Sequence, residues 1–298
     1  MAEPRDHHYA PQFYLRNFAA DSEGLKIHTV GKSGQTAVWT QRSIETIGYE
    51  RDFYVHMVDG APVSVETLIN QRIETPISTS QTWRKIREEP AALDRSDRAV
   101  LYALVRHLKM RTPHALATSL ELGAMAASPD SSIPFDEHER RMYAEIAASP
   151  GSAKAHQNRL TLDTEWDPRA FASCLIGIFH STTALRTSTA PVMAVRIPED
   201  PRLSMPAPGM TPYMDVLPLT PHLMISLTMG DFGGAFASQR LDHITARGFN
   251  RQRLGQFAKF EPIRHLITGA DDLVEDMVWG PYTLQAKTDR KIVFRRQD

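Results

Sequence analysis

The chain has 298 residues, with 34 Lys+Arg against 35 Asp+Glu for a formal net charge of −1. Its 42% hydrophobic and 23% charged residues are those of a folded globular protein, which excludes wholesale disorder and fibrous repeats. A single cysteine cannot close an internal disulfide, so a stapled secreted scaffold is excluded and a reducing compartment fits. Near-neutral charge supplies no bulk attraction for nucleic acid, which stays open as a partner only through a local basic patch.

The N-terminus, MAEPRDHH, has no apolar core and does not read as a secretory signal. The longest apolar stretch, 171–179 (FASCLIGIF), falls far short of the roughly 20 residues a bilayer span needs. A cytoplasmic protein with no membrane partner is expected. Residues 8–18 (HYAPQFYLRNF) are dense in aromatic and apolar groups, which predicts docking into the body of the protein. Segments 24–31 and 35–40, broken by Gly31 and Gly34, read as a β-hairpin, and 49–57 as a further strand ending at Asp59-Gly60.

Leu68 or Ile69, Ile73 and Ile77 recur at a spacing of about four, so 63–88 reads as one long helix, bent or interrupted at Pro76. Asp94 or Ser96 caps a second helix with an apolar stripe of Val100, Leu101, Leu104, Val105 and Leu108. Pro113 interrupts it, with Thr112 placed to cap a continuation over 115–127. A loop at 128–134 and a surface helix at 136–148 lead to the breaker Ser149-Pro150-Gly151. Asp167-Pro168 opens a helix through Phe171, Leu175, Ile178 and Phe179. Beyond Leu185, prolines punctuate short runs. Of these, 191–197, 214–219 and 223–229 read as strands, 241–257 as helix, 263–267 as extended, 271–279 as helix and 291–296 as a last strand. The expected class is α+β: a mixed or antiparallel sheet from the N-terminal hairpin and the C-terminal strands, with a large helical subdomain at about 62–185. Residues 1–298 are expected to form one interrupted domain.

The run His8-Tyr-Ala-Pro11-Gln12-Phe-Tyr14-Leu15-Arg-Asn-Phe18 resembles the start of the DUF4238 family of bacterial proteins, which begins with His, Pro-Gln, Tyr-Leu and Phe at these spacings. The resemblance continues through Arg51-Asp-Phe53-Tyr54, Glu66, Glu74 and Arg111-Thr112-Pro113. Thr187-Ser188-Thr189-Ala190-Pro191-Val192 and Leu217-Pro218-Leu219-Thr220-Pro221 are similar to the family's Ser-Asp-Asn-Pro-Val and Pro-Leu-Ser-Pro blocks. Asn250 falls where the family has an Ile-Asn element. The chain departs from the pattern at Thr189-Ala190, where the family usually has Asp-Asn. The resemblance supplies no reaction.

If 63–88 and 94–111 pack antiparallel about a turn near residue 91, Arg111 lies opposite Gln71. Glu74 is then about one turn away, because three residues rise roughly 4.5 Å. Arg111 also shares the face of Leu104 and Leu108. A partly buried Arg111–Glu74 ion pair is therefore predicted, beside a polar stripe of Glu66, Asn70 and Glu74. The cluster reads either as a structural ion pair between kinked helices or as an anion site. In the second reading Arg111 and the helix N-terminus at Pro113, with Thr112 at its start, hold a phosphate or carboxylate.

His8 is the candidate for proton transfer, because an imidazole titrates near neutral pH, with Tyr14 and Gln12 assisting. Alternatively the segment is a plug, with His8 hydrogen-bonded and Phe13, Tyr14 and Phe18 filling the core. The sequence has no HExxH, cysteine pair or Asp-rich calcium loop, so no metal site is expected. His56, His107, His114 and His180 are the histidines that would have to converge with His8 to make one. Cys174 reads as packing. Asp231-Phe232-Gly233 lacks the other kinase motifs, and the basic residues Arg247, Arg251, Arg253 and Lys259 read as a solvated amphipathic helix.

The leading expectation is a hydrolase or transferase for a phosphate-bearing or nucleotide-like substrate. His8 is then the acid/base, Arg111 the anion binder with Gln12 and Thr112 beside it, Glu74 the residue orienting Arg111, and Tyr14 a second donor. The competing expectation is a non-catalytic ligand-binding or interaction protein in bacterial stress or defence. A shared open pocket for His8 and Arg111 discriminates the two. Cofactor and oligomeric state leave no signal in the sequence.

Overall fold

A computed structural model describes residues 6–128, 131, 135–162, 168–203, 212–268, 282–288 and 291–296. The strands are β1 (Asp6–His8), β2 (Lys26–Ser33), β3 (Thr36–Ser43), β4 (Tyr49–Arg51), β5 (Val55–Val58), β6 (Ala61–Ser64), β7 (Leu175–Ser181) and β8 (Thr187–Ser188), then β9 (Met193–Arg196), β10 (Tyr213–Thr220), β11 (Leu223–Thr228), β12 (Phe236–Leu241), β13 (His265–Thr268), β14 (Tyr282–Thr288) and β15 (Lys291–Arg296). The helices are α1 (Gln12–Leu15), α2 (Glu66–Ile69), α3 (Thr75–Ser78), α4 (Gln81–Glu88), α5 (Arg98–Met110), α6 (Pro113–Ala127), α7 (Glu137–Ala147), α8 (Pro150–Leu162), α9 (Pro168–Ser173) and α10 (His243–Lys259).

The fold is α+β. The N-terminal hairpin β2–β3 turns at Gly34, whose φ of +56° favours glycine, and it sits inside an antiparallel sheet of order β14-β15-β3-β2-β13-β8. The expected union of N-terminal and C-terminal strands is therefore present. A second sheet, β12-β7-β11-β10-β9, is antiparallel except for the parallel pair β12–β7. Two further pairs, β1–β4 and β5–β6, carry the N-terminal edge.

Leu217, Leu219, Ile225 and Leu227 of the second sheet join the largest core, with Tyr14, Ile69, Ile73, Leu104 and Leu108. On its other face Val216 and Met224 pack with Ala246 and Phe249 of α10. Farther along α10, Leu254 and Phe257 pack with Val30 and Phe294 of the six-stranded sheet. Helix α10 thus carries apolar residues for both sheets, and β10 and β11 are covered on both faces. None of the helices in the described residues is long and apolar enough to cross a membrane.

Three expectations are corrected. Residues 63–88 do not form one helix. They divide into the end of β6, α2, a π-turn at Asn70–Glu74, α3, and α4, whose cap Ser80 accepts from Trp83 N at 3.0 Å. Pro76 lacks the N–H that an α-helix needs at that position, and the wider π-turn immediately before it absorbs the defect. The run 171–179 is not helical beyond Ser173: α9 ends there and Leu175–Ser181 is the interior strand β7, between β12 and β11. An apolar stretch buried on both faces has no alternation to separate it from a buried helix. The strand expected at 49–57 is two short ones, β4 and β5, separated near Asp52 with φ +54°. Strands β12 and β14 and helix α8 had no counterpart in the sequence reading, and the helix expected at 271–279 lies outside the described residues.

Candidate functional site

Strand β1 pairs with β4, and beyond it the N–H groups of Tyr9 and Ala10 both donate to Gly48 O at 2.8 and 3.0 Å. Gly48 adopts φ +66°, and a Cβ there would stand 2.6 Å from the Cβ of Ala10. The N-terminal segment is thereby pinned, and α1 follows with Tyr14 and Leu15 fully buried. Of two adjacent histidines on a strand, each faces a different side. His7 points inward, accepting from Tyr54 N at 2.9 Å on Nδ1 and lying 3.4 Å from Glu66 Oε2 through Nε2. His8 faces the opposite side.

Arg111 follows the last turn of α5 and is 2% exposed. Its Nε donates to Tyr54 Oη at 2.9 Å, Nη1 donates to Glu74 Oε1 and to His107 Nε2 at 2.6 Å, and Nη2 donates to the carbonyl of His8. The guanidinium also lies over the Tyr54 ring, 5.6 Å from its centroid. The ion pair with Glu74 expected from helix spacing is present.

Burial works to raise the Glu74 carboxyl, but the Arg111 guanidinium beside it outweighs burial and holds it at about 2. Burial, reinforced by Arg111, lowers His107 to about 4, so its ring is neutral near pH 7 and accepts from Arg111. His8 is lowered as well, chiefly by burial, with its contact to the Glu45 carbonyl opposing. Its Nε2 lies 3.3 Å from that carbonyl and 3.5 Å from Gln12 Nε2, so it stands between an acceptor and a donor. Either neutral tautomer finds a partner there.

These groups surround one open cavity of about 310 Å³. His8, Gln12, Glu66, Asn70, Glu74 and Arg111 supply its polar wall, and Pro11, Phe13, Thr75 and Ser78 complete it. The π-turn matters here: it spans Asn70 to Glu74, between the first and last carboxylates of the polar stripe.

Four of the six residues singled out from sequence, His8, Gln12, Glu74 and Arg111, meet at this cavity. Tyr14 does not. It is fully buried elsewhere, donating to Pro218 O and sharing a hydrogen bond with Thr187 Oγ1, both at 2.7 Å. Thr112 also lies outside the cavity, because its side chain caps α6 by accepting from Ala115 N at 3.1 Å. Each nitrogen of Arg111 donates within the protein, and the residue also lines the cavity. Cys174 is buried, as its apolar setting implied.

Tyr54 and His107 are the site residues that sequence reasoning missed. His107 stands four residues before Arg111 on the same helical face, and Tyr54 closes the Arg51-Asp-Phe53-Tyr54 block. The other histidines lie apart: His56 contacts Asn158 at 3.0 Å, His114 packs on Phe260, and His180 contacts Ser238 at 3.2 Å. Among the described residues no group of three or more His, Cys, Asp or Glu side chains is arranged to hold a metal ion.

The family model described as "Protein of unknown function (DUF4238)" matches residues 6–231, a span that contains every wall of this cavity. No curated protein and no solved structure matches the chain.

Proposed function

We propose, from the premise that the chain belongs to the DUF4238 family, that the cavity between β1, the π-turn and the end of α5 binds a small polar molecule and that His8 exchanges a proton with it. The observation that carries this reading is the meeting of His8 and Arg111 in one open pocket with Gln12, Asn70 and two carboxylates. Packing alone does not require a neutral imidazole beside an amide at a cavity mouth. A volume of about 310 Å³ sits at the small end of ligand sites, which run from roughly 300 to 1,000 Å³.

The ligand class follows from charge. Glu66 and Glu74 oppose a single arginine with four of its five N–H donors already engaged within the protein, so a phosphate would meet two carboxylates and at most one remaining guanidinium hydrogen. A molecule rich in N–H or O–H donors fits better, with Asn70 and Glu66 as its acceptors. As an enzyme, the site suits hydrolysis or group transfer in which His8 takes a proton from an attacking amine, hydroxyl or water. Arg111, Tyr54 and His107 then act as the frame that fixes His8 and Glu74. Free, buried Cys174 accords with a cytoplasmic setting.

The test is a binding and product screen of the purified protein against small amines, amino alcohols and nucleotides. Donor-rich amines are expected to bind and nucleotides not, and His8→Ala is expected to lose turnover or pH-dependent affinity at least tenfold while unfolding at the wild-type temperature. Equal behaviour of wild type and His8→Ala across the whole panel would overturn the role of His8, and preferential nucleotide binding would overturn the charge argument.

A further inference from the structure

A second cavity of about 540 Å³ lies on the far side of the α5–α6 break, between α6, α7, α8 and the strands β9 and β10. Its walls differ from those of the first. Leu108, Leu122, Met142, Leu160, Ala190 and Val192 make most of its surface apolar. The cations at its edge are not equivalent. Lys109 Nζ donates to both carboxylate oxygens of Asp215 at 2.8 Å, so each cancels the other. Arg159, exposed at the rim, has no carboxylate within ion-pair distance among the described residues. Its Nη2 instead donates to His156 Nδ1 at 3.2 Å. Glu145 lines an adjoining recess that also contains His156 and Arg159, yet makes no ion pair with the guanidinium. The cavity therefore combines a mostly apolar lining with a guanidinium at its edge that has no carboxylate partner among the described residues.

We propose that this cavity is a binding site for an amphipathic carboxylic acid, its hydrocarbon body lying against Leu108, Leu122 and Met142 and its carboxylate on Arg159. Planar guanidinium and carboxylate pair through two parallel hydrogen bonds, and apolar burial supplies the affinity that a rim ion pair alone lacks. A cationic amphiphile is rejected by Arg159, and a neutral alcohol leaves it unpaired. His156 gives an independent reading of the headgroup. Burial and Arg159 together lower its pKa in the free protein, and an anion seated on Arg159 removes the second contribution.

The experiment uses the full chain with decanoate, decanol and decylamine, below their aggregation concentrations, by calorimetry and by NMR titration of the His156 ring. Decanoate is expected to bind at least tenfold more tightly than decanol, with decylamine weakest, and to raise the His156 pKa. Arg159→Gln is expected to bring decanoate down to the decanol level and to abolish the His156 response. Arg159 is exposed, so folding is unaffected. Leu122→Trp, which fills the cavity, is expected to remove binding of both. Equal affinity for decanoate and decanol, saturable binding unaltered by Leu122→Trp, or no saturable binding of decanoate would each overturn the proposal.

Discussion

Every nitrogen of Arg111 donates within the protein, and the consequences are read most directly against pH. In the unfolded chain Glu74 titrates near 4.5 and in the native protein at about 2, so between these values only the unfolded state takes up the proton. Its contribution to stability is complete above pH 4.5 and is lost as the pH falls toward 2. His107 acts in a higher window: the unfolded imidazole charges below 6.5, the buried one only near 4, so stability declines over that interval too. Urea unfolding measured from pH 7.5 to 2.5 is expected to show loss beginning near 6.5. Glu74→Gln is expected to flatten the lower part of that profile. At pH 7 it should cost about 3–5 kcal/mol, the usual effect of leaving a buried charge without its partner. An unchanged profile in Glu74→Gln would mean that the ion pair contributes nothing to acid sensitivity.

The pair was legible in the sequence because rise per residue fixes which side chains meet across two antiparallel helices, even though the first helix is broken. Tyr54 was not, because no periodicity relates a residue on a turn between two short strands to the end of α5.

At the level of elements, the segment carrying His8 is held by the Gly48 carbonyl, by the pairing of β1 with β4, by Tyr54 N on His7 and by Arg111 on the His8 carbonyl. Gly48→Ala forces a Cβ into Ala10 at a backbone angle that only glycine adopts freely. We expect this change to cost about 1–3 kcal/mol. The amides of Tyr9 and Ala10 should then exchange with solvent faster, while those of β10 and β11 keep wild-type protection. Uniform loss across both sets would show that the N-terminal segment and the five-stranded sheet unfold together. Elements with a strong local signal were readable: the hairpin at Gly31 and Gly34, and α6 with Thr112 as cap and Pro113 at its first turn. Strand β7 was not, because its register is set by β11 and β12, neighbours that a local window does not contain. Asn70–Glu74 looks like ordinary helix in sequence, and only the following proline hints at the π-turn that shapes the cavity wall.

At the scale of the whole molecule, the α+β class and the joining of chain ends in one sheet followed from where the strand-like texture lay. The five-stranded sheet and the position of α10 between the two sheets are products of long-range pairing and were not foreseeable. The six-stranded sheet yields a further prediction. Both outer edges of the hairpin are occupied by late strands, β13 against β2 and β15 against β3. A chain ending at residue 264 is expected to be insoluble when expressed. Fusing the missing strands back through a flexible linker is expected to restore solubility. Recovery of a soluble, cooperatively unfolding truncated chain would show that the hairpin edges need no cover.

The same placement has a meaning in time. The hairpin leaves the ribosome before the strands that close it, which follow only after the long stretch of chain from 44 to 264. Over that interval the nascent protein carries two open strand edges, the feature that recruits stray pairing partners. Its yield in a cell is then governed by how fast translation reaches residues 265–296 and by which chaperone shields the hairpin meanwhile.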